Sequence, residues 1–168
     1  PLVQAQTKAA EVDEQIRILT EVRPVLPPRQ PPQGYYRFPA LHGETLVFTA
    51  EGDLWRVGLQ GGVATRLTTH PGTEAHAAIS RDGQTLAFSA EYEGPQEVYS
   101  MPLAGGVPQR HTFEGGATVI GWTPDHKILY ATRAFSTLPN EQLVRLDPAT
   151  DQARVLPLSQ ASEGIYLP

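Results

Sequence analysis

Cysteine is absent from the 168 residues of this chain. Its absence excludes disulfide bonds, thiolate nucleophiles and cysteine-based metal sites, although it does not identify the cellular compartment. No apolar run approaches the length of a membrane span, so we expect none. Basic residues form no cluster and the net charge is −5, which argues against a nucleic-acid partner. The Gly-x-Ser-x-Gly motif of many serine hydrolases is also missing.

Turn-forming residues are abundant, and a strand pattern recurs between them. The chain has 15 glycines and 16 prolines, a proportion typical of frequent turns rather than of helices. Three apolar segments end in an aromatic residue, at Phe48, Phe88 and Tyr130, with spacings of 40 and 42 residues. An Arg-Leu-Thr-like triplet recurs every 44 residues, at 66–68, at 110–112 and more loosely at 154–156. A strand-based period of about 40–45 residues predicts β-propeller blades, which must pack against one another to bury their faces.

The first 33 residues differ from the rest. Val12, Ile16 and Leu19 follow helical spacing, which favours only a marginal amphipathic helix. Five prolines between residues 24 and 32 then predict an extended polyproline linker. Small residues at the start fit the end of an export signal cut after Ala5, or else a plain N-terminal tail. We therefore assign residues 1–33 to a tail and a proline-rich linker.

From residue 34 onward we predict an all-β fold, a partial β-propeller of four-stranded antiparallel blades. The blades are placed at about 34–74, 75–116 and 117–160, with their innermost strands at 35–38, 77–80 and 119–122. The Asp82-Gly83 pair marks a hairpin, because glycine accepts the positive φ of such turns. Residues 165–168 match residues 121–124, so the first strand of a fourth blade is expected at 161–168. Since propellers close with 4–8 blades, we expect a piece of a longer chain.

Several segments together resemble a known family. Residues 40–57, followed by Gly61-Gly62 and by Leu-Thr-Thr-His-Pro-Gly at 67–72, resemble the opening of tricorn-type proteases, which begin with a six-bladed propeller. Residues 80–83 and 121–125 resemble the Ser-Pro-Asp-Gly blade motif that this family shares with TolB-like propellers. Arg81 replaces the usual proline of that motif, and His126 replaces the usual glycine. The resemblance covers residues 36–168.

The resemblance implies a function for the parent protein. In tricorn-type proteases two propellers precede a PDZ-like domain and a serine-protease core that cleaves peptides, and the propellers admit and guide those peptides. The family's catalytic serine, histidine and glutamate lie in the core, so we assign this chain no catalytic residue, no metal, no cofactor and no named binding residue. Expected partners are peptides or unfolded polypeptide, the parent's other domains, and a homo-oligomer, including two copies that join into one six-bladed ring.

The sequence leaves the location and the function of the parent protein open. Bacterial members of the family are often exported, which favours a periplasmic or secreted location, with a cytoplasmic location as the alternative. The alternative function is a TolB-like propeller that binds proteins and has no protease attached. The reading frame beyond residue 168 distinguishes the two functions.

The five histidines have structural interpretations. His70 and His76 are six residues apart and invite a metal-site interpretation, but the His-Pro-Gly turn favours a structural role for His70. His42, His111 and His126 lie in turns or at strand ends, with no serine or carboxylate at a motif spacing.

The acidic and aromatic candidates also have structural interpretations. We expect Asp82 and Asp125, which recur with the blades, to cap hairpins rather than to form an acid pair. Trp55, Tyr99 and Trp122 recur at or near strand positions and are expected to pack between blades. A local acidic patch is expected either to be a solvated loop or to contact a peptide N-terminus; it comprises Glu91, Glu93 and Glu97.

Overall fold

The structure is a computed structural model that describes residues 34 to 166. The predictions for residues 1–33 and 167–168 lie outside the described residues. Twelve strands form three four-stranded antiparallel sheets, and no helix occurs in the described part of the chain. We call the sheets blade 1, blade 2 and blade 3. The all-β fold class is therefore confirmed, and the sheets form an unclosed, partial propeller. Within residues 34 to 166, no helix is long and apolar enough to cross a membrane.

Each blade is a meander of four consecutive strands. Blade 1 contains β1 (Arg37–His42), β2 (Thr45–Ala50), β3 (Asp53–Gly58) and β4 (Thr65–Arg66). Blade 2 contains β5 (Glu74–Ile79), β6 (Thr85–Ala90), β7 (Glu97–Pro102) and β8 (Gln109–Arg110). Blade 3 contains β9 (Thr118–Trp122), β10 (Ile128–Thr132), β11 (Gln142–Asp147) and β12 (Gln152–Val155).

The first strand of blade 1 does not lie where the sequence predicts it. We expected it at residues 35–38, with residues 42–44 as the turn, but β1 runs from Arg37 to His42. The turn needs only two residues, because Gly43 adopts a φ of 55°, and His42 therefore still pairs with Thr45. In blade 2, β5 likewise starts at Glu74, one residue before the predicted boundary.

The pairing of the strands corrects the repeat in blade 3. Arg66 pairs with Trp55 in blade 1, and Arg110 pairs with Tyr99 in blade 2. The position that corresponds to Arg66 and Arg110 in blade 3 is Val155, which pairs with Val144. The sequence alignment through Arg154 is therefore wrong by one residue, because blade 3 contains one residue more between these positions.

The hydrophobic core lies between consecutive blades. Phe88 of blade 2 packs in one cluster with Val47 and Leu54 of blade 1, and it is fully buried. Tyr130 of blade 3 packs in the next cluster against Ala87 and other residues of blade 2. The recurring aromatic residue therefore points toward the preceding blade. Phe48 holds the same position in blade 1 but is only partly buried, since no blade precedes it among the described residues.

One backbone hydrogen bond marks the start of each new blade. The amide of Glu74 donates to the carbonyl of Gly52 at 2.7 Å, and the amide of Ala117 donates to Gln96 at 2.9 Å. The amide of Ala161 makes the corresponding bond to Glu141, also at 2.9 Å. Residues 161 to 166 form no strand. The bond at Ala161 thus repeats the contact at which blades 2 and 3 begin.

Candidate functional site

Polar and aromatic side chains converge on a cleft of about 510 Å³ between blades 1 and 2. We call it the blade 1–2 cleft. Its walls come from three segments that are distant in sequence, namely the loop after β4, the loop between β6 and β7, and the outer half of blade 2. The lining includes residues 67–71, Tyr92, Glu93, Tyr99, Pro108 and Arg110. A cavity of this size is in the range of binding sites for small molecules and peptide side chains.

Close packing of the two loops shapes this cleft. The His70 ring nitrogen Nδ1 accepts a hydrogen bond from the Gly72 amide at 3.0 Å, which closes the His-Pro-Gly turn. A Cβ atom at Gly72 would lie 2.2 Å from the carbonyl oxygen of Glu91, so only glycine lets the loops approach this closely. The Leu-Thr-Thr-His-Pro-Gly segment at 67–72 is therefore a wall of the cleft, in addition to being a connection between blades.

Aromatic rings form one continuous wall. The ring centroids of His70 and Tyr92 lie 4.1 Å apart, and those of Tyr92 and Tyr99 lie 4.7 Å apart. Phe88 supports Tyr99 from the core, with a centroid distance of 6.0 Å. Burial raises the pKa of both Tyr92 and Tyr99, so these phenols are neutral at physiological pH. The wall therefore presents uncharged π-surfaces that suit stacking on flat apolar groups.

A buried glutamate lies behind this wall. Glu74 is fully buried, and its Oε2 accepts a hydrogen bond from the Thr68 hydroxyl at 2.8 Å. Burial raises the pKa of Glu74 to about 7, while the Thr68 and Tyr92 hydroxyls oppose part of that rise. Its Oε1 has no hydrogen-bond partner among the residues that the structure describes. Glu74 thus changes charge near neutral pH, directly behind the aromatic wall.

A network around one guanidinium forms the opposite rim. Arg110 donates to Glu93 at 2.7 Å and to Glu97 at 3.2 Å, and its guanidinium lies 4.5 Å from the ring centre of Phe113. Glu97 is only 1% exposed and also accepts a hydrogen bond from the Gly115 amide at 2.8 Å. The prediction of a solvated acidic patch is therefore wrong for Glu97, because its carboxylate is enclosed by donors. Glu93, whose side chain is 72% exposed, carries the negative charge of the rim.

The Arg-Leu-Thr triplet has a structural explanation. In blade 1, Arg66 pairs with Asp53, and the Thr68 hydroxyl accepts from the Leu54 amide at 2.9 Å. In blade 2, the Thr112 hydroxyl accepts from the Val98 amide at 2.8 Å and donates to Glu97. In blades 1 and 2 the triplet therefore fixes the outer strand to an acidic residue at the start of the third strand.

The structure also brings together a serine, a histidine and an aspartate that no sequence motif indicates. The His111 atom Nε2 lies 2.7 Å from Ser100 Oγ, and its Nδ1 lies 2.5 Å from Asp151 Oδ1. These distances match those of a catalytic triad. However, the His111 side chain is 0% exposed, Ser100 lies within strand β7, and none of the three residues lines the blade 1–2 cleft. Because Asp151 belongs to blade 3, the arrangement connects blades 2 and 3, and we call it the blade 2–3 clasp.

The remaining histidines contact separate partners. His70 stacks on Tyr92, whereas His76 stacks on Phe38 with centroids 3.9 Å apart. A ring nitrogen of His42 lies 2.9 Å from the carbonyl oxygen of Arg81, which joins turns of blades 1 and 2. His126 lies in the turn after β9. Within residues 34 to 166 no three histidine, aspartate or glutamate side chains group as metal ligands.

The periodic aspartates lie in turns. Asp82 accepts hydrogen bonds from the Ser80 hydroxyl at 2.6 Å and the Gln84 amide at 3.0 Å, which hold its pKa below the ordinary value. Asp125 accepts from the Thr123 hydroxyl at 2.8 Å, with the same direction of pKa shift. Both residues cap hairpins, as their periodicity predicts.

The large aromatic residues divide between two environments. Tyr99 packs between blades 1 and 2, and Trp122 packs against the cluster between blades 2 and 3, donating from Nε1 to the Ala78 carbonyl at 2.9 Å. Trp55 instead pairs with Phe48 on the face of blade 1 that points away from blade 2. The prediction of packing between blades is confirmed for Tyr99 and Trp122.

Comparison with known proteins gives a consistent family. The model of the tricorn protease N-terminal beta propeller domain matches residues 33–168. Over 126 residues the chain is 39% identical to tricorn protease homolog 1 of Streptomyces coelicolor, covering 74% of this chain and 11% of that protein. It is 28% identical to a putative tricorn-like protease N-terminal subunit of Sulfurisphaera tokodaii, covering 64% of this chain and 57% of that protein.

Solved structures agree in fold. The crystal structure of the tricorn protease aligns with a TM-score of 0.71 at 21% identity, over 80% of this chain and 14% of that one. A putative TolB from Agrobacterium tumefaciens aligns with a TM-score of 0.65 at 24% identity, over 75% and 47% of the two chains. The chain thus spans only a part of each relative that it matches.

Proposed function

The chain belongs to the tricorn protease N-terminal β-propeller family, and we propose that it is a non-catalytic, peptide-binding part of a tricorn-like serine protease. In this proposal it binds peptide substrates or products and passes them to or from a protease core elsewhere in the parent protein. The blade 1–2 cleft is the proposed binding surface.

The observation that carries the proposal is the composition of that cleft. Neutral aromatic rings line one wall, and an exposed carboxylate and a guanidinium stand at the rim. This combination provides stacking, hydrogen bonding and charge, which are the contacts that a peptide offers. An activated nucleophile does not line the cleft, and the one histidine with a triad-like geometry, His111, is enclosed.

The test measures binding and cleavage in one sample. Fluorescein-labelled decapeptides of basic, acidic and apolar character are added to the purified 168-residue chain. Anisotropy reports binding, and mass spectrometry reports the peptide masses afterwards. We expect weak binding of at least one class, weaker binding after His70→Ala, and intact peptides throughout. Cleavage that survives repurification and disappears in a His111→Ala variant would contradict the non-catalytic assignment.

The partners and the location follow from the same proposal. We propose that the other partners are the remaining propeller, PDZ-like and protease domains of the parent, and that the parent acts outside the cytoplasm. Small residues before and at Ala5 support export. Fractionation of cells that carry the native gene tests the location, since recovery with cytoplasmic markers would contradict it.

A further inference from the structure

The geometry of the blade 1–2 cleft restricts how a peptide can bind there. Proteins commonly hold extended peptides by adding a strand to an exposed sheet edge, which requires a long edge strand. The outer strands next to the cleft, β4 and β8, contain two residues each. They supply too few backbone groups for this mode. Recognition must therefore come from side chains.

The wall of the cleft suits a ligand with flat apolar rings. The exposed His70 ring stacks on the half-buried Tyr92 at 4.1 Å, and the buried Tyr99 supports Tyr92 at 4.7 Å. Pro71 and Pro108 add two rigid apolar surfaces to the lining. Grooves lined by aromatic rings recognise polyproline II segments, whose pyrrolidine rings stack on the aromatic faces and whose conformation is formed before binding.

Polar groups in the cleft can contact the backbone carbonyls and a charged side chain of a polyproline II segment. A polyproline II backbone leaves its carbonyl oxygens without internal partners. The Arg110 guanidinium lines the cleft with 20% of its side chain exposed, and its N–H groups can donate to such a carbonyl. At the rim, Glu93 exposes 72% of its side chain and favours a basic residue in the ligand.

We propose that the blade 1–2 cleft binds proline-rich peptide segments in the polyproline II conformation, with a lysine or arginine of the segment placed at Glu93. This inference rests on the proposed function and names its ligand class. The prolines stack on the exposed His70 ring and on the exposed part of Tyr92. The basic residue shares the Glu93 carboxylate with Arg110.

The experiment compares two peptides of equal length and charge. The first is a fluorescein-labelled peptide of the repeated sequence Pro-Pro-Arg, and the second has every proline replaced by alanine. Both are titrated with the full chain, and anisotropy gives the Kd. We expect the proline peptide to bind at least about tenfold more tightly, because the alanine peptide lacks the rings and must be ordered on binding.

Two variants with matched controls locate the site. His70→Ala removes an exposed ring of the wall, and we expect it to weaken binding of the proline peptide about fivefold to tenfold. Glu93→Gln should weaken it about twofold to fivefold and reduce the dependence on salt. The controls are His126→Ala and Glu44→Gln, which alter an exposed histidine and glutamate outside the cleft and should leave the Kd unchanged.

The outcomes separate the two proposals. Equal binding of both peptides overturns the polyproline inference while the cleft remains a peptide site. Preferential binding that neither His70→Ala nor Glu93→Gln weakens also overturns the inference, because the site then lies elsewhere. Failure of both peptides and of the decapeptides overturns the proposed function as well.

Discussion

Glu74 gives the structure a stability that depends on pH near neutrality. Its carboxyl group is fully buried, and burial raises its pKa from 4.5 to about 7. The folded state therefore binds this proton more tightly than the unfolded state does. The stabilisation is fully present below pH 4.5 and is lost as the pH rises through about 7. Glu74→Gln should remove this dependence, since the amide is uncharged and can still accept the Thr68 hydrogen bond.

The magnitude follows from the two pKa values. Between 4.5 and about 7, a loss of 1.36 kcal/mol per unit of pH amounts to about 3 kcal/mol in the free energy of unfolding. Glu74→Gln should thus be close to the wild type at pH 4.5 and more stable by up to about 3 kcal/mol at pH 8. This is a large fraction of the stability of a domain of this size.

The assay is urea denaturation of both proteins, followed by circular dichroism, at intervals between pH 4.5 and 8. Groups other than Glu74 titrate equally in both proteins, so only the difference between the two curves matters. Glu44→Gln, at an exposed turn position, serves as the control and should give a flat difference. Parallel curves for the wild type and Glu74→Gln would show that the pKa of Glu74 is not raised in the folded state and would mean that water reaches its carboxyl group.

Three further predictions concern the core, the clasp and its chemistry. Phe88→Ala should cost about 3–5 kcal/mol in urea denaturation and Phe48→Ala markedly less, because only Phe88 is fully buried; equal costs would contradict this difference in burial. Ser100→Ala and Asp151→Asn should each cost about 1 kcal/mol, and the double variant should cost less than their sum, because both residues bond to His111. Strict additivity would show that they act independently. A fluorophosphonate probe should leave Ser100 unmodified in mass spectrometry, whereas stoichiometric labelling would show an accessible nucleophile.

The blades could be predicted from local sequence because each blade repeats a hairpin turn and an apolar strand that ends in an aromatic residue. Phe88 and Tyr130 recur in apolar strands behind hairpins, and both strands are buried against the preceding blade. The limits of β1 and β5 could not be predicted in this way. Both strands contain a register shift, and Phe38 and His76 there adopt φ values of 50° and 51°. Neither residue is a glycine or an asparagine, which are the usual signals of a left-handed conformation, so the sequence does not indicate these two bulges.

The cleft and the clasp depend on contacts between distant segments. Glu74, Tyr92 and Arg110 converge only after the blades pack, and no spacing in the sequence indicates that they meet. His111 meets Asp151 across a blade boundary, 40 residues away. The sequence did contain one signal for the position of the cleft. The repeated Arg-Leu-Thr triplet marks the strand that forms its outer side. Its partners at the start of the third strand were identified only through the observed pairing.

The central claim, that this propeller binds peptides in the blade 1–2 cleft without cleaving them, can be tested by one measurement. A proline-rich peptide that carries a benzophenone group is irradiated with the full chain, and the digest is analysed by mass spectrometry. We expect the intact peptide to be attached to residues 67–71, Tyr92 or Tyr99. Attachment only to other blades, or recovery of the peptide in cleaved form, would contradict it.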